Sequence, residues 1–243
     1  MTIHPQLRQA FAKKNALKVI SGLNNFDNAR VAMIVKAAAA GGATFVDIAA
    51  DSALVHDIRQ ITDLPICVSA VEPNLFVDAV KAGADLIEIG NFDSFYAEGR
   101  RFEALEVLEL TKQTRLLLPE VTLSVTVPHI LALDEQIQLA EELVKAGADI
   151  IQTEGGTSTN PVHPGVLGLI EKAAPTLAAA HSIARAVDVP VLCASGLSAV
   201  TVPMAIAAGA SGVGVGSAIN QLDNELSMLA AVRSLVEALS SNS

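Results

Sequence analysis

The chain alternates between short apolar runs and longer stretches in which apolar residues recur at every third or fourth position. One phrase returns along the chain: the end of a helical pattern, a glycine, and then a run of apolar, often β-branched residues. A glycine after a helix supplies the left-handed C-cap, and a continuous apolar run is typical of a strand buried on both faces of a parallel sheet. The phrase therefore predicts helix-to-strand units, with cap glycines at Gly42, Gly83, Gly147 and Gly209.

Further apolar runs lie between these units and bring the number of predicted strands to eight. Eight strand and helix alternations in 243 residues are the dimensions of a (β/α)₈ TIM barrel of the α/β class. A doubly wound open sheet is the alternative, because periodicity does not prove that a sheet closes. No linker divides the chain, so a single domain over 1–243 is predicted. The added strands are 17–21, 65–70, 121–127 and 190–195, and the helices lie near 28–40, 51–61, 73–82, 100–117, 134–146, 165–187, 198–208 and 221–243.

The N-terminal segment and the cysteines add to this picture. Leu7, Ala10 and Phe11 share one helical face, which predicts an N-terminal helix that plugs the bottom of the barrel. The segment lacks the apolar centre of a secretory signal. Cys67 and Cys193 lie in apolar runs that are typical of reduced core residues. We therefore expect a reducing compartment such as the cytoplasm.

The composition of the chain argues against two classes of binding partner. The chain is 51% hydrophobic and carries a net charge of -10, which argues against a nucleic-acid or anionic-membrane surface, since both need clustered Lys and Arg. Residues 189–222 are all uncharged, but they contain Pro190, Pro203 and several glycines, so they predict strand, turn, helix and strand rather than a transmembrane helix. We expect no nucleic-acid and no membrane partner, while homo-oligomerisation stays open.

Glycine and serine are concentrated where strands 7 and 8 end, in CASGLSA at 193–199 and GVGVGSAIN at 212–220. The loops after strands 7 and 8 of a TIM barrel commonly bind phosphate, and glycine lets backbone amides approach phosphate oxygens without a Cβ in the way. The alternative is that these glycines only allow tight packing. The predicted phosphate-binding residues are Ser195, Gly196, Gly214, Gly216 and Ser217.

Four charged residues on predicted strands are candidate catalytic groups: Lys18, Asp47, Glu88 and Glu154. Ionised groups do not belong between strands and helices, so we expect them inside the barrel. There they could act as an acid/base pair, or Lys18 could form a Schiff base. The alternative is a buried salt bridge that only fixes the barrel interior. Polar groups at other strand exits include Asn91, Asp93, Thr126 and His129, and the candidate substrate contacts are Asn24, Asn25, Gln152, Gly155 and Gly156.

Metal binding is not expected, because no cysteine pair has ligand spacing and the five histidines are scattered. FMN is the one cofactor that we keep as an alternative, since its phosphate would suit the loops after strands 7 and 8. A flavin ring needs a flat apolar bed, however, and the chain has no Trp and one Tyr.

Two sets of motifs carry a resemblance to known families. SGL at 195–197 and VGVGSAI at 213–219 resemble the phosphate-binding ends of the ribulose-phosphate-binding barrels. LKVISGLNNFD at 17–27 and IIQTEGGTS at 150–158 are similar to the plastid and cyanobacterial family called hypothetical chloroplast reading frame twenty-three. The resemblance implies a photosynthetic lineage, in the cytoplasm or plastid stroma. The glycine loops and the inward-facing charged residues, rather than this resemblance, predict an enzyme of the isomerase, lyase or synthase type that acts on a small phosphorylated metabolite. The alternatives are an FMN-binding oxidoreductase and a non-catalytic barrel that senses a metabolite or binds a protein.

Overall fold

Eight parallel strands form a closed barrel, in the order in which they occur along the chain. The structure is a computed structural model that describes residues 3–96, 98–155 and 161–240. The first strand pairs in parallel with both the second and the eighth, which closes the sheet and excludes the open alternative. The predicted TIM barrel is therefore confirmed. The strands are β1 (Ala16–Ile20), β2 (Phe45–Ala49), β3 (Ile66–Ala70), β4 (Leu86–Ile89), β5 (Thr122–Val127), β6 (Ile150–Thr153), β7 (Val191–Ala194) and β8 (Gly212–Val215).

Helices separate the strands, and a large apolar core lies between them and the barrel. Two helices of a single turn were not predicted, one after β4 and one after β8. The helix predicted at 198–208 begins at Val202, because Thr201 accepts a hydrogen bond from the Ser198 amide in a preceding turn. The helices are α1 (Pro5–Ala12), α2 (Asn28–Gly41), α3 (Ser52–Arg59), α4 (Pro73–Ala82), α5 (Asp93–Tyr96), α6 (Ala104–Leu117), α7 (Leu133–Lys145), α8 (Gly165–Ile183), α9 (Val202–Ala208), α10 (Ser217–Asn220) and α11 (Glu225–Ser240).

Helix α1 covers the amino-terminal end of the barrel, as predicted. Its buried residues Leu7 and Phe11 pack against a second, smaller apolar cluster. That cluster consists of inward-facing side chains near the strand starts, and the rings of Phe11 and Phe45 meet edge to face, 6.4 Å apart. Cys67 belongs to the same cluster, and both Cys67 and Cys193 are buried free thiols.

The repeated glycines end helices in the left-handed conformation, with φ of +89°, +118°, +106° and +115° along the chain. One of these turns is held by an arginine. Arg115 donates to the carbonyls of Gly147 and Val121 and forms an ion pair of 2.8 Å with Asp149, which also accepts from the Leu123 amide.

Arg59 repeats this arrangement two strands earlier in the barrel. It donates to the carbonyl of Gly83 and pairs with Asp85, which accepts from the Ile66 amide. The sequence Gly-Ala-Asp therefore occurs twice at the amino-terminal edge of the barrel, and each time its glycine carbonyl and its aspartate bind an arginine. Because the opposite end carries the strand exits, this edge contributes to stability rather than to a binding site. Among the described residues, no helix is long and apolar enough to span a membrane.

Candidate functional site

A cavity of about 840 Å³ lies at the carboxyl end of the barrel. It is formed by the ends of several strands and by the loops that follow them, which is the position of ligand sites in this fold. Its described lining combines amides, hydroxyls and three charged side chains with a few apolar groups. The polar side chains are Ser21, Asn24, Asn25, Asn91, Asp93, Ser94, Thr126, Gln152, Thr153, Glu154, Lys172, Ser195, Ser217 and Gln221.

The loop after β7 has a backbone that only a narrow set of residues adopts. Ser195 and Gly196 both lie in the left-handed region, with φ of +79° and +70°. A Cβ on Gly196 would lie 2.6 Å from the carbonyl oxygen of Lys172 in α8. Glycine is therefore required at 196 both for its conformation and for the close approach of α8.

The loop after β8 lies beside it. Gly216 precedes α10, and Asn220 of that helix donates to the carbonyls of Ile20 and Ser21, which ties α10 to the end of β1. In the part of the chain that the structure describes, the amides of Ser195, Gly196, Gly216 and Ser217 make no hydrogen bond to the backbone. All four residues line the cavity, so their amides are available to a ligand.

Gly212 and Gly214 have a different environment. A Cβ on Gly214 would lie 2.9 Å from the Cβ of Ala194 and 3.0 Å from Cδ1 of Ile20, and one on Gly212 would meet Ala16 at 2.6 Å. Neighbouring inward-facing side chains therefore occupy the space that these glycines leave. Gly214 also lines the cavity, at its floor.

The barrel interior below the cavity contains a buried ionic cluster. The Nζ atom of Lys18 lies 2.7 Å from Glu88 Oε2 and 3.2 Å from Asp47 Oδ2, and none of the three residues is exposed. Hydroxyls complete the cluster: Ser69 donates to Asp47 at 2.6 Å and Ser124 to Glu88 at 2.7 Å. The structure thus brings together three of the four predicted catalytic residues, beneath the lining of the cavity.

The protonation of this cluster follows from its surroundings. Burial alone would lower the pKa of Lys18, but the carboxylates of Asp47 and Glu88 outweigh burial and raise it, so the side chain remains an ammonium. Burial raises the pKa of Glu88; Lys18 opposes this shift and Asp47 adds to it. A permanently protonated lysine is a poor nucleophile, which disfavours Schiff-base chemistry at Lys18.

Two amide side chains connect the cluster to the cavity. Gln152 accepts from Lys18 at 3.1 Å and donates to Glu88 at 2.8 Å, so its carbonyl and amino groups are held in one orientation. Asn91 donates to Asp47 at 3.3 Å. Because Gln152 and Asn91 line the cavity, the buried charges position polar groups on its floor.

A second polar cluster surrounds Glu154 at the exit of β6. The carboxylate of Glu154 accepts hydrogen bonds from the amide of Asp93 at 2.8 Å, the hydroxyl of Tyr96 at 3.0 Å and the amide of His129 at 3.3 Å. The His129 Nδ1 atom lies 3.1 Å from Glu154 and 3.4 Å from Asp93. Ser195 donates to Asp93 at 3.4 Å, which connects this cluster to the loop after β7.

Charge shifts two pKa values in the second cluster. Partial burial tends to lower the pKa of His129, but the hydrogen bond and charge of Glu154 and the charge of Asp93 raise it overall. Burial and the neighbouring carboxylates raise the pKa of Tyr96, so the phenol stays neutral. Asp93, His129 and Glu154 also offer ligand atoms that lie within 4.8 Å of one another, close enough to share a cation. Glu154 already accepts several hydrogen bonds, and a cation would have to compete with them.

The comparisons with known proteins identify a family. Residues 3–243 match the family described as "Protein of unknown function (DUF561)". The chain belongs to this family. It is 40% identical to "Uncharacterized protein ycf23" of Pyropia yezoensis over 100% of the chain and 89% of that protein. It is 49% identical to the protein of the same name in Cyanophora paradoxa, over 76% of each. The resemblance to the chloroplast reading-frame family is therefore confirmed.

Solved structures share the fold of this DUF561 member at low sequence identity. Thiamine phosphate pyrophosphorylase from Pyrococcus furiosus is 19% identical, with a TM-score of 0.61 over 95% of this chain and 98% of that one. (S)-3-O-geranylgeranylglyceryl phosphate synthase from Thermoplasma acidophilum, in complex with its substrate sn-glycerol-1-phosphate, is 16% identical, with a TM-score of 0.62 over 99% of both chains. At such identities the similarity establishes the fold alone.

Some predicted site residues of this family member line the cavity, and others lie buried below or beside it. Asn24, Asn25, Gln152 and Glu154 line the cavity, together with the loops after β7 and β8. Gly155 is buried, and a Cβ there would lie 2.7 Å from Thr176 Cβ, so its position is set by packing. Gly156 lies outside the described residues.

Sequence reasoning missed Tyr96 and Lys172. Tyr96 lies in helix α5, which was not predicted because a helix of four residues is too short to show a hydrophobic periodicity. Lys172 follows Glu171 within the long apolar pattern of α8, where a pair of charged residues indicates a solvent-exposed position. The available signal for Tyr96 was its place after the polar exit of β4, beside Asn91 and Asp93.

Proposed function

We propose that the protein is an enzyme that acts on a small phosphorylated metabolite and catalyses a proton transfer, of the isomerase, lyase or synthase type. One observation carries the proposal: the amides of Ser195, Gly196, Gly216 and Ser217 border one cavity and make no hydrogen bond to the backbone. Backbone amides in glycine loops are suited to phosphate oxygens, since they donate without a side chain in the way.

The rest of the cavity supports a hydroxylated ligand. Asparagine, glutamine, serine and threonine side chains dominate its polar lining, and they can donate to or accept from sugar hydroxyls. The described lining residues include no aromatic side chain on which a flavin ring would stack. A sugar phosphate therefore fits better than FMN. The substrate sn-glycerol-1-phosphate, bound by the Thermoplasma acidophilum synthase, is likewise a hydroxylated phosphate monoester.

Asp93 and Glu154 are the carboxylates that would touch the substrate. Both line the cavity, and His129 lies against both. A carboxylate at the substrate could accept a proton from carbon or oxygen, and His129 could exchange that proton, since its imidazole contacts both carboxylates and they raise its pKa above the ordinary value. Lys18, Asp47 and Glu88 then act as positioning residues through Gln152 and Asn91.

The cellular setting completes the proposal. We place the enzyme in the cytoplasm or the plastid stroma, as the family resemblance implies.

The experiment that tests this function is thermal unfolding against sugar phosphates, FMN and inorganic phosphate, followed by titration of each hit. A ligand at about a hundred times its Kd stabilises the fold by roughly 2.7 kcal/mol, which shifts Tm measurably. The variants are Gly216→Asp and its neutral isostere Gly216→Asn. The φ of -116° at Gly216 suits either residue, and a Cβ there lies 3.3 Å from the carbonyl oxygen of Ile20.

We expect a sugar phosphate to stabilise the wild type, Gly216→Asn to retain part of that shift, and Gly216→Asp to lose it through charge repulsion. Unchanged binding in Gly216→Asp would place the phosphate elsewhere. An FMN response without a sugar-phosphate response would favour the flavin enzyme, and a flat response would favour a barrel without catalysis.

A further inference from the structure

We propose that Lys172 is the cation that pairs with the phosphate of the ligand, so that the cavity selects doubly charged phosphate monoesters over singly charged phosphodiesters. The inference rests on the proposed function and adds to it the charge state of the ligand. It also names a binding residue outside the glycine loops, on a helix rather than at a strand exit.

The position of Lys172 is fixed by close packing. The residue lies within α8 and lines the cavity. A Cβ on Gly196 would lie 2.6 Å from the Lys172 carbonyl oxygen and 3.1 Å from its Cγ. The stem of the lysine therefore lies against the loop whose free amides border the cavity. Because Lys172 also lines the cavity, its ammonium is the positive charge that the described lining offers beside this loop.

The charges around the cavity leave this ammonium without a carboxylate. Lys172 is the single lysine or arginine among the described lining residues. In the described part of the chain it forms no salt bridge within 4.0 Å, although the protein has ten more acidic than basic side chains (26 Asp and Glu against 16 Lys and Arg). The residues outside the description contain no Asp or Glu.

The carboxylates that line the cavity make such a cation favourable for phosphate binding. Asp93 and Glu154 line the same cavity, and Asp93 is hydrogen-bonded to Ser195 of the loop after β7. A dianion held by neutral amides alone would face two carboxylates. A lysine ammonium beside the amides offsets this repulsion, and it does so more strongly for two negative charges than for one.

The test measures binding of two probes, inorganic phosphate and dimethyl phosphate, by titration calorimetry or ³¹P NMR at about pH 8, where phosphate is mainly a dianion. The variants are Lys172→Met, which keeps the aliphatic stem against Gly196, and Lys172→Arg, which keeps the charge. Lys36→Met is the control, since Lys36 is exposed on α2. Circular dichroism and Tm establish that each variant is folded.

We expect Lys172→Met to weaken phosphate binding by about ten- to a hundredfold, the value of a hydrogen bond to a charged group. Binding of dimethyl phosphate should change less, so the preference for the dianion falls. Lys172→Arg should retain most of the affinity and Lys36→Met all of it.

Two outcomes overturn the inference and can be told apart. If the wild type binds phosphate and folded Lys172→Met binds it within about twofold, the glycine loops hold the phosphate without this lysine, and the proposed function stands. If the wild type binds neither inorganic phosphate nor any sugar phosphate, the proposed function fails and the inference fails with it.

Discussion

The ammonium of Lys18 and the carboxylate of Glu88 meet 2.7 Å apart inside the barrel, where neither side chain is exposed. Gln152 contacts both, since it accepts from Lys18 and donates to Glu88. A buried charge pair adds little net stability when intact, but removing one partner leaves the other charge without compensation. The pair therefore determines the orientation of Gln152 at the cavity floor, and the fold depends on both of its members.

Replacing Lys18 tests this dependence. Lys18→Met leaves Asp47 and Glu88 buried together without a cation, and we expect a loss of roughly 3–5 kcal/mol in the free energy of unfolding. Urea unfolding followed by circular dichroism measures it. Lys81→Met is the control, because Lys81 pairs with Asp78 while both side chains are more than 70% exposed, and it should leave the midpoint almost unchanged. A small effect of Lys18→Met would mean that a carboxyl group takes up a proton at little cost.

The stability of the protein should fall as pH rises above about 6.5, because protonated His129 stabilises the fold. The pKa of His129 is raised above its ordinary value of 6.5 by Glu154 and Asp93. A raised pKa stabilises the folded state fully below about pH 6.5 and loses that contribution as pH rises through the folded pKa. The Tm of wild type should therefore decline over this range, and the Tm of His129→Gln should decline less.

His56→Gln is the matched control for this pH dependence, since His56 is exposed on α3. It should follow the wild-type profile. NMR titration of the imidazole signals measures the same property directly. A His129 signal that titrates below pH 6.5 would show that burial outweighs the two carboxylates.

Arg115 should contribute more to stability than its surface position suggests. Its guanidinium donates to several carbonyls at the amino-terminal edge and pairs with Asp149, whose side chain is 4% exposed. We expect Arg115→Met to cost roughly 3 kcal/mol, at the low end for breaking a buried pair. Lys112→Met, on the same helix but in an exposed pair with Glu109, is the control for urea unfolding. Equal midpoints for the two variants would contradict this role.

Gly214 and Gly216 should respond differently to a methyl group. In Gly214→Ala the new Cβ would lie 2.9 Å from Ala194 Cβ and 3.0 Å from Ile20 Cδ1, so overpacking should cost roughly 1–3 kcal/mol. In Gly216→Ala the nearest atom lies 3.3 Å away, and a smaller loss is expected. Thermal unfolding of both variants without ligand separates packing from binding. A larger loss in Gly216→Ala would reverse this assignment.

The sequence by itself determined the order of strands and helices and much of the site, whereas closure of the sheet was decided by the structure. Each strand is a short apolar run and each cap glycine marks a helix end, so local patterns sufficed to predict the order of elements and the glycine loops after β7 and β8. Successive side chains of a strand point to opposite faces of the sheet. This alternation also predicted that Lys18, Asp47 and Glu88 lie inside the barrel, because an ionised group between strands and helices would lack partners.

Only the tertiary structure decided how these residues are divided. Strand stagger sets the depth at which Lys18, Asp47 and Glu88 meet, below the cavity rather than in it. Closure of the barrel brings Asp93 of α5, His129 after β5 and Glu154 after β6 into one cluster, and the packing of α8 on Gly196 places Lys172 beside the loop after β7. These contacts join residues far apart in the chain, and hydrophobic periodicity carries no information about such distances, since it reports only which face of each element is buried.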